Sequence, residues 1–521
     1  MVFFILVFLL RNRFSKMKKN IPQEPESIVM LMPCYNETLE ECTKSLDSLV
    51  RQQDIESHPR GILVICDGKA RGPGMEKTTA QYLNEDILVD QTARQRIPSA
   101  YIAWDRQLMN IEISRGTYKG VPFFCIVKEQ NQGKRDSLIL SRSFLYNFNR
   151  RHTGPHILLR PDFFFVLADW LVQDCQIEQA DLLIGMDADT VFACDCVANL
   201  VSEVRYPGTV GVCGYVTVDF TNSKWNLWAI YQSAEYTIAQ GLRRLHQSLV
   251  TKKVSCLPGC YQLIRVCNET CGDDILVNRF GYHPRPTDGI ITRIRATASE
   301  DRNHVCHMLI KHPEVHTRQA LKARAYTDVP KSVAVFASQR RRWTLGATSN
   351  DLMLFLAAPF RFNWFERFVA LANVMTWCLA PFVAASMVAM IHALMYQTRW
   401  KTLLLVGIML IPYLYYLSMA VWMCRNALER TQFMLGLLIF TIIGPIINIL
   451  IMVYAIYCMD NFGWGKTRKI VANDDEKICE AEESDPDDRL SRIHGAVSLR
   501  APDLENQAAL TRTPFRVPFL R

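Results

Sequence analysis

Three long uncharged stretches, at residues 368–398, 402–424 and 431–459, follow one another near the carboxyl end of the chain. Each exceeds the roughly twenty residues a helix needs to cross a bilayer. One such stretch is equally well a buried core helix; three in succession favour a transmembrane region over 367–459. The rest of the 521 residues leaves room for a large globular portion. A net charge of +8 suits an anionic membrane surface. No long basic stripe accompanies it, so nucleic acid is not expected as a partner.

The 17 cysteines have no framework spacing. Cys125, Cys213 and Cys378 lie in apolar runs, where thiols behave as small hydrophobes. Cys194–Cys196 and Cys256–Cys260 lack a second pair at zinc spacing. This usage points to a reducing compartment, with the globular portion in the cytosol.

Residues 2–10 are apolar and are followed by Arg11, Arg13, Lys16, Lys18 and Lys19. They cover about half a bilayer span, and no small-residue cleavage site follows. They read as the end of a membrane segment (1–10) that begins upstream, its basic flank cytoplasmic. Between 27 and 345 the pattern is α/β. Branched apolar runs at 27–32, 61–66, 122–127 and 182–186 read as buried strands, spaced widely enough for helical crossovers between the earlier ones. Residues 346–366 mix apolar side chains with Asp351 and Arg361 and read as interfacial. The 460–521 segment is acidic and aperiodic, as disordered tails are.

Polar clusters follow the strands where open α/β sheets bind ligands. Asp187-Ala188-Asp189 sets two carboxylates at i and i+2, able to converge on a hard divalent cation, Mg²⁺ or Mn²⁺. Tyr35, Glu37 and Asp67 follow the first two strands and can stack on or hydrogen-bond a base, although Asp67-Gly68 reads equally well as a plain turn. The run Lys128–Ser137 contains a turn at Gly133 and then Lys134-Arg135, charges suited to a nucleotide; it lacks Walker spacing. Glu300-Asp301-Arg302 offers one carboxylate as a general base with an arginine to hold it. Pro258-Gly259 marks a turn. Gln339-Arg340-Arg341-Arg342-Trp343 places three cations beside an amide and an indole, just ahead of the uncharged stretches. It is either a lipid-headgroup cluster or a clamp for a pyrophosphate and a sugar.

In this order the motifs NQGKRDS, DADT, CLPGC, EDR and QRRRW resemble those of chitin synthases, processive inverting family-2 glycosyltransferases. Gln232, Glu235 and Tyr236 fit that family's Q-x-x-E-Y pattern. Trp464-Gly465-Lys466-Thr467-Arg468 is similar to the branch ending in WGxTR. The resemblance implies a GT-A type glycosyltransferase domain (27–345), UDP-N-acetylglucosamine as donor, a chitin chain as acceptor, and a multi-pass plasma-membrane protein. A homodimer is implied by analogy alone. It also implies that Tyr35, Glu37 and Asp67 face uridine, that Lys134 sits near the donor, and that Asp187 and Asp189 hold UDP and the metal. Asp301 would be the base, with Glu300 and Arg302 beside it. Pro258-Gly259 would belong to a gating loop. Gln339, Arg342 and Trp343 would cradle the pyrophosphate and terminal sugar, leaving Arg340 and Arg341 to the membrane surface.

Two departures stand out. Tyr215 occupies a position where Glu is expected, and the longer N-terminal regions of that branch are not found here. A catalytically silent regulatory homologue, or a hyaluronan- or cellulose-type synthase, are the alternative readings. Three crossings would also place WGKTR outside the cytosol, whereas a gating motif belongs inside. A break at Gly444-Pro445, or a partly interfacial 368–398 stretch, would each restore the parity.

Overall fold

The four branched apolar runs all become strands, and the α/β expectation holds. The computed structural model describes residues 18–152, 158–221, 225–359, 362–396 and 399–460. Residues 2–10, Trp464–Arg468 and the acidic tail lie outside the described residues. The described strands are β1 (Ile28–Cys34), β2 (Arg60–Cys66), β3 (Gln91–Ile102), β4 (Leu108–Tyr118), β5 (Val121–Lys128), β6 (Leu182–Met186), β7 (Thr190–Phe192), β8 (Thr209–Val218), β9 (Tyr261–Arg265) and β10 (His316–Thr327). The helices that matter for the site are α1 (Leu39–Val50), α2 (Lys134–Asn149), α3 (Leu227–Glu235), α4 (Glu300–Lys311) and α5 (Val333–Ala357). Three more follow: α6 (Trp364–Tyr396), α7 (Arg399–Met423) and α8 (Ala427–Tyr457).

Residues 21–189 and 259–300 form one unit; residues 190–258 and 301–460 form the other. The 27–345 segment therefore contributes to both. In the first unit the strand order is β3-β4-β5-β2-β1-β6-β9. β5, β2, β1 and β6 are parallel, with Met30 opposite both Ile62 and Ile184. These strands are buried along almost their whole length, which is why they read as unbroken apolar runs. The sequence spacing suggested a helical crossover between β2 and β5. Much of that connection is instead the antiparallel hairpin β3–β4, which itself pairs with β5. Its outer strand is largely exposed and carries Arg94 and Arg96, so the apolar pattern of a strand is absent. Ion pairs Arg94–Glu112 (3.5 Å) and Arg96–Glu129 (3.0 Å) leave this edge charged, which discourages edge-to-edge pairing.

In the second unit β8 and β10 are parallel and β7 pairs antiparallel with β10. α5 runs unbroken through residue 345, the expected domain limit, because nothing from Val333 to Ala357 breaks a helix. Asp351, read from sequence as interfacial, is buried in this unit. α8 continues through Gly444 and Pro445, so the break that was one of the two ways to restore parity does not occur. One side of α8 packs on protein along its length. A Cβ on Gly436 would stand 2.7 Å from the Ile230 carbonyl, so only glycine permits that crossing with α3. Further along, Ile451 packs with Tyr231 and Phe336. Among the described residues, α8 is the one helix long and apolar enough to qualify as a span by length and composition. All sixteen described cysteines are free thiols.

Candidate active site

In the first unit, four parallel strands end on one edge, and the expected donor residues follow directly. Tyr35 and Glu37 leave β1; the Glu37 carboxylate accepts from the Tyr35 amide (2.6 Å), shaping that turn. Asp67 leaves β2. Its Oδ1 accepts from Lys128 Nζ (3.0 Å) and from the Gln132 amide (3.0 Å), tying it to the loop after β5. Gly68 follows with φ +93°, and a side chain there would stand 3.2 Å from the Asn131 amide nitrogen. The Asp67-Gly68 turn is thus packed on the Lys128–Ser137 loop.

Lys128 is fully buried and also pairs with Asp136 (2.7 Å) and Ser137 Oγ (2.8 Å). Burial opposes its charge, but Asp136 and Asp67 outweigh that and raise its pKa. Asp136 in turn accepts from Tyr101 OH (2.6 Å) and the Trp104 amide (2.7 Å). This network was not foreseen: a lysine ending an apolar strand, with one aspartate after β2 and another in the first turn of α2, was its only sequence signal. Arg135 corrects the expectation that it serves a nucleotide. It is buried, donates to the Phe280 carbonyl (2.7 Å) and lies 4.4 Å over the Phe280 ring.

Lys134 opens α2 just after Gly133, whose φ of +80° makes the turn possible. Its ammonium meets Asp187 Oδ1 at 2.5 Å. Ser45 on α1 donates to the Ala188 carbonyl (2.8 Å) and so fixes the Asp-Ala-Asp loop. Asp189 reaches solvent from a crowded recess. Desolvation by the surrounding protein, then Asp187, Glu37 and Glu41, push its carboxyl up to about 7, with Lys134 opposing. Glu41 was not singled out from sequence; it completes the capping box of α1 with Thr38. Gly259 is buried, and its carbonyl would stand 3.3 Å from a Cβ on Gly185. The close approach there depends on Gly185 of β6. Gly259 itself has no positive φ. Glu300 is half-buried at the start of α4.

The second unit holds Pro258, Asp301, Arg302, Gln339, Arg342 and Trp343. Asp301 sits in the first turn of α4. Arg302 was expected to hold that carboxylate; its guanidinium instead meets Asp351 of α5 at 3.3 Å. Burial opposes the Arg302 charge and Asp351 overcomes it, raising its pKa. Asp351 also accepts from Arg243 (2.9 Å) and Asn373 (3.2 Å), and Asn303 donates to Asn350 (3.0 Å). α4 is thereby fastened to α5, which orients Asp301 indirectly.

Gln339, Arg342 and Trp343 fall at i, i+3 and i+4 of α5, on one helix face. All three are half-buried, and Trp343 packs 5.7 Å from the Tyr236 ring. Arg340 and Arg341 do not serve the membrane surface as expected; both are about 3% exposed. Arg340 donates to both carboxylate oxygens of Glu235 (2.7–3.1 Å) and stacks on Phe336 and Trp343 (4.4 and 4.3 Å). Burial opposes its charge, and Glu235 followed by Tyr236 more than compensates. Arg341 donates to the Cys458 carbonyl (3.1 Å) at the end of α8. The Q-x-x-E-Y segment therefore clasps the arginine helix, with Gln232 fully buried and donating to the Pro330 carbonyl (3.0 Å). Tyr215 is buried, shares a hydrogen bond with Thr237 (2.7 Å) and has the Arg324 guanidinium 5.3 Å from its ring.

A family model described as chitin synthase matches residues 4–494. Chitin synthase 8 of Gibberella zeae is 43% identical over 462 residues, covering 87% of this chain and 68% of that protein. Chitin synthase 8 of Verticillium dahliae is 40% identical over 425 residues, 77% of this chain and 69% of that protein. Among solved structures, the mannosyltransferase PcManGT from Pyrobaculum calidifontis, in complex with GDP-Man and Mn²⁺, aligns with a TM-score of 0.41 and 12% identity. That alignment covers 88% of this chain and 94% of the other.

Proposed function

The chain belongs to the chitin synthase family of glycosyltransferases, and on that premise we propose how it works. It transfers N-acetylglucosamine from UDP-N-acetylglucosamine to the non-reducing end of a β-1,4 chain and extrudes the polymer across the membrane. The observation that carries this reading is the cluster of Lys134, Asp187 and Asp189 at the strand ends, crowded by Glu37 and Glu41.

That cluster suits a divalent cation. It offers oxygen donors, and desolvation, followed by the neighbouring carboxylates Asp187, Glu37 and Glu41, pushes the Asp189 carboxyl up to about 7. Among the described residues no three His, Cys, Asp or Glu side chains form a closed metal cage. Mg²⁺ and Mn²⁺ need only one or two protein carboxylates and keep their other positions for water and phosphate oxygens. Asp189, with Asp187 beside it, would hold the ion, which when bound neutralises charge on the diphosphate. Lys134 adds a second cation for the same group. Tyr35 and Asp67 border the uridine, and the Lys128 network keeps Asp67 in place. On the acceptor side, Trp343 and Gln339 hold the terminal sugar and Arg342 faces the pyrophosphate. Asp301 accepts the proton of the acceptor 4-hydroxyl as that oxygen attacks the anomeric carbon. The bond to the diphosphate breaks on the opposite face, giving inversion.

With the Asp189 carboxyl pushed up to about 7, an incoming cation must displace a proton at lower pH. Mn²⁺ affinity in the presence of UDP should rise about tenfold per pH unit up to about pH 7 and then level off. Calorimetric titration in buffers of different ionisation enthalpy measures the released proton. Asp189→Asn should remove both the proton release and the tight binding; a flat profile in the unaltered chain would exclude proton displacement at Asp189, and unchanged affinity in the variant would exclude it as the ligand.

The membrane arrangement we read is a hairpin of α6 and α7. Exposed aromatics mark their ends, Trp364 and Tyr396 on α6, Trp400 and Trp422 on α7, as interfacial belts do. α8 is tied at both ends to the second unit, by Glu429 to Arg324 (2.9 Å) and by Cys458 to Arg341. On this reading α6 and α7 make the two crossings, and α8, the described helix that qualifies as a span by length and composition, lies against the second unit on one side with Leu438, Ile442, Ile446 and Leu450 exposed on the other. The parity conflict over the WGKTR segment then does not arise.

Purified full-length chain with Mn²⁺ or Mg²⁺ should release UDP from UDP-N-acetylglucosamine and yield insoluble, chitinase-sensitive polymer. UDP-glucose and UDP-glucuronate should not be incorporated; incorporation of either would overturn the substrate. Mass photometry of the same preparation tests the homodimer that belongs to this reading.

A further inference from the structure

The second unit contains a cavity of about 360 Å³ at the carboxyl ends of β8 and β10, walled by the turn between α7 and α8. That volume is within the range of small-molecule sites. Three charged side chains line it: Arg324, Glu429 and Asp219. Arg324 is 4% exposed and gives Nη1 to Glu429 (2.9 Å) and Nη2 to the Met423 carbonyl. Its Nε–H has no hydrogen-bond partner among the described residues, an unfavourable state for a buried cationic donor. Glu429 pairs with Arg324, and among the described residues no cationic side chain pairs with Asp219. Asp219 uses Oδ1 for the Thr221 amide (2.9 Å) and has Oδ2 to offer. The rings of Tyr326 and Phe433 complete the wall.

A ligand satisfying this lining must bring an oxygen acceptor to Arg324 Nε and a positive charge to Asp219, with aromatic faces beside the cation. A phosphate monoester or diester carrying an ammonium does both. The wall of the cavity is the α7–α8 turn, and α7 ends at exposed Trp422, an aromatic of the kind that marks the headgroup level. We propose that this cavity binds a phosphoammonium group, the headgroup of a zwitterionic phospholipid. The proposal rests on reading α7 as a membrane helix, but not on the chemistry assigned to the transferase site. Bound there, the headgroup joins the end of the membrane hairpin to the sheet of the second unit.

Native mass spectrometry of the full chain in detergent tests this with three probes: dihexanoyl phosphatidylethanolamine, dihexanoyl phosphatidylglycerol and free phosphoethanolamine. One phosphatidylethanolamine should bind, with at least about tenfold preference over phosphatidylglycerol. Equal binding of free phosphoethanolamine would keep the site and assign it to a soluble zwitterion; weaker binding assigns it to lipid. Asp219→Asn retains Oδ1 for the Thr221 turn and should erase the preference. Thr217→Phe, which fills the cavity from β8, should abolish binding and serves if the first variant folds poorly. Preference for phosphatidylglycerol, or unchanged selectivity in both variants, overturns the proposal. None of these readouts needs polymer synthesis, so the site and the transferase reading fail separately.

Discussion

Asp301→Asn is expected to abolish polymer synthesis, a fall of about 10²–10⁴-fold in turnover, while UDP binding survives. The substitution keeps size and shape and removes the only proton acceptor assigned on the acceptor side. It should leave the fold intact, because α4 is held by its neighbours: Arg302 to Asp351 at 3.3 Å and Asn303 to Asn350 at 3.0 Å. On the proposed reading UDP is held by Lys134, Asp187, Asp189 and Arg342, none of which the substitution touches, so its binding should be unaffected. Radiolabelled N-acetylglucosamine incorporation measures the first effect, and calorimetric titration with UDP and Mn²⁺ the second. Retained synthesis would remove Asp301 as the base. Arg302→Ala makes an informative contrast. It leaves the buried Asp351 with one fewer cation, so it should lower thermal stability and activity together.

Glu235→Ala should be the most damaging change away from the reacting groups. It strands the Arg340 guanidinium, about 3% exposed, without its carboxylate. Breaking a buried pair by removing one partner costs about 3–5 kcal/mol, against total domain stabilities of about 5–15 kcal/mol. The expected result is poor folding or a large drop in the melting transition. Replacing both partners, Glu235→Leu with Arg340→Met, should recover much of the stability, since an apolar pair avoids the desolvation cost. Synthesis should stay impaired in the double variant, because Arg340 also supports the Trp343 ring from 4.3 Å. Thermal melts of the purified variants in one detergent decide it. A stable Glu235→Ala with normal activity would return Arg340 to the membrane-surface role first expected of it.

Much of the first unit was legible because its chemistry is local. Parallel strands buried on both faces must be apolar throughout, so β1, β2, β5 and β6 announce themselves. The polar residues after them then lie at one edge by topology alone. The β3–β4 hairpin was missed for the converse reason: an exposed edge strand has no core to impose alternation on it. Arg135 and Lys134 illustrate the limit at single-residue scale. Adjacent in sequence and alike in charge, they diverge at the start of α2, one toward Asp187 and the other into the Phe280 ring.

Composition and motif order determined the family, the parallel strands, and which carboxylates could hold a cation or a proton. They also required that three consecutive arginines find partners. Only the tertiary structure decided which partners. Glu235 lies 105 residues from Arg340, and Asp351 lies 49 from Arg302. No local rule relates positions so far apart; they meet because helix packing removes both charges from water together. The same packing ties one side of α8 to the arginine helix, while Leu438, Ile442, Ile446 and Leu450 on it stay exposed. An uncharged helix can bury its apolar surface in lipid or in protein with similar gain, and only its neighbours determine which.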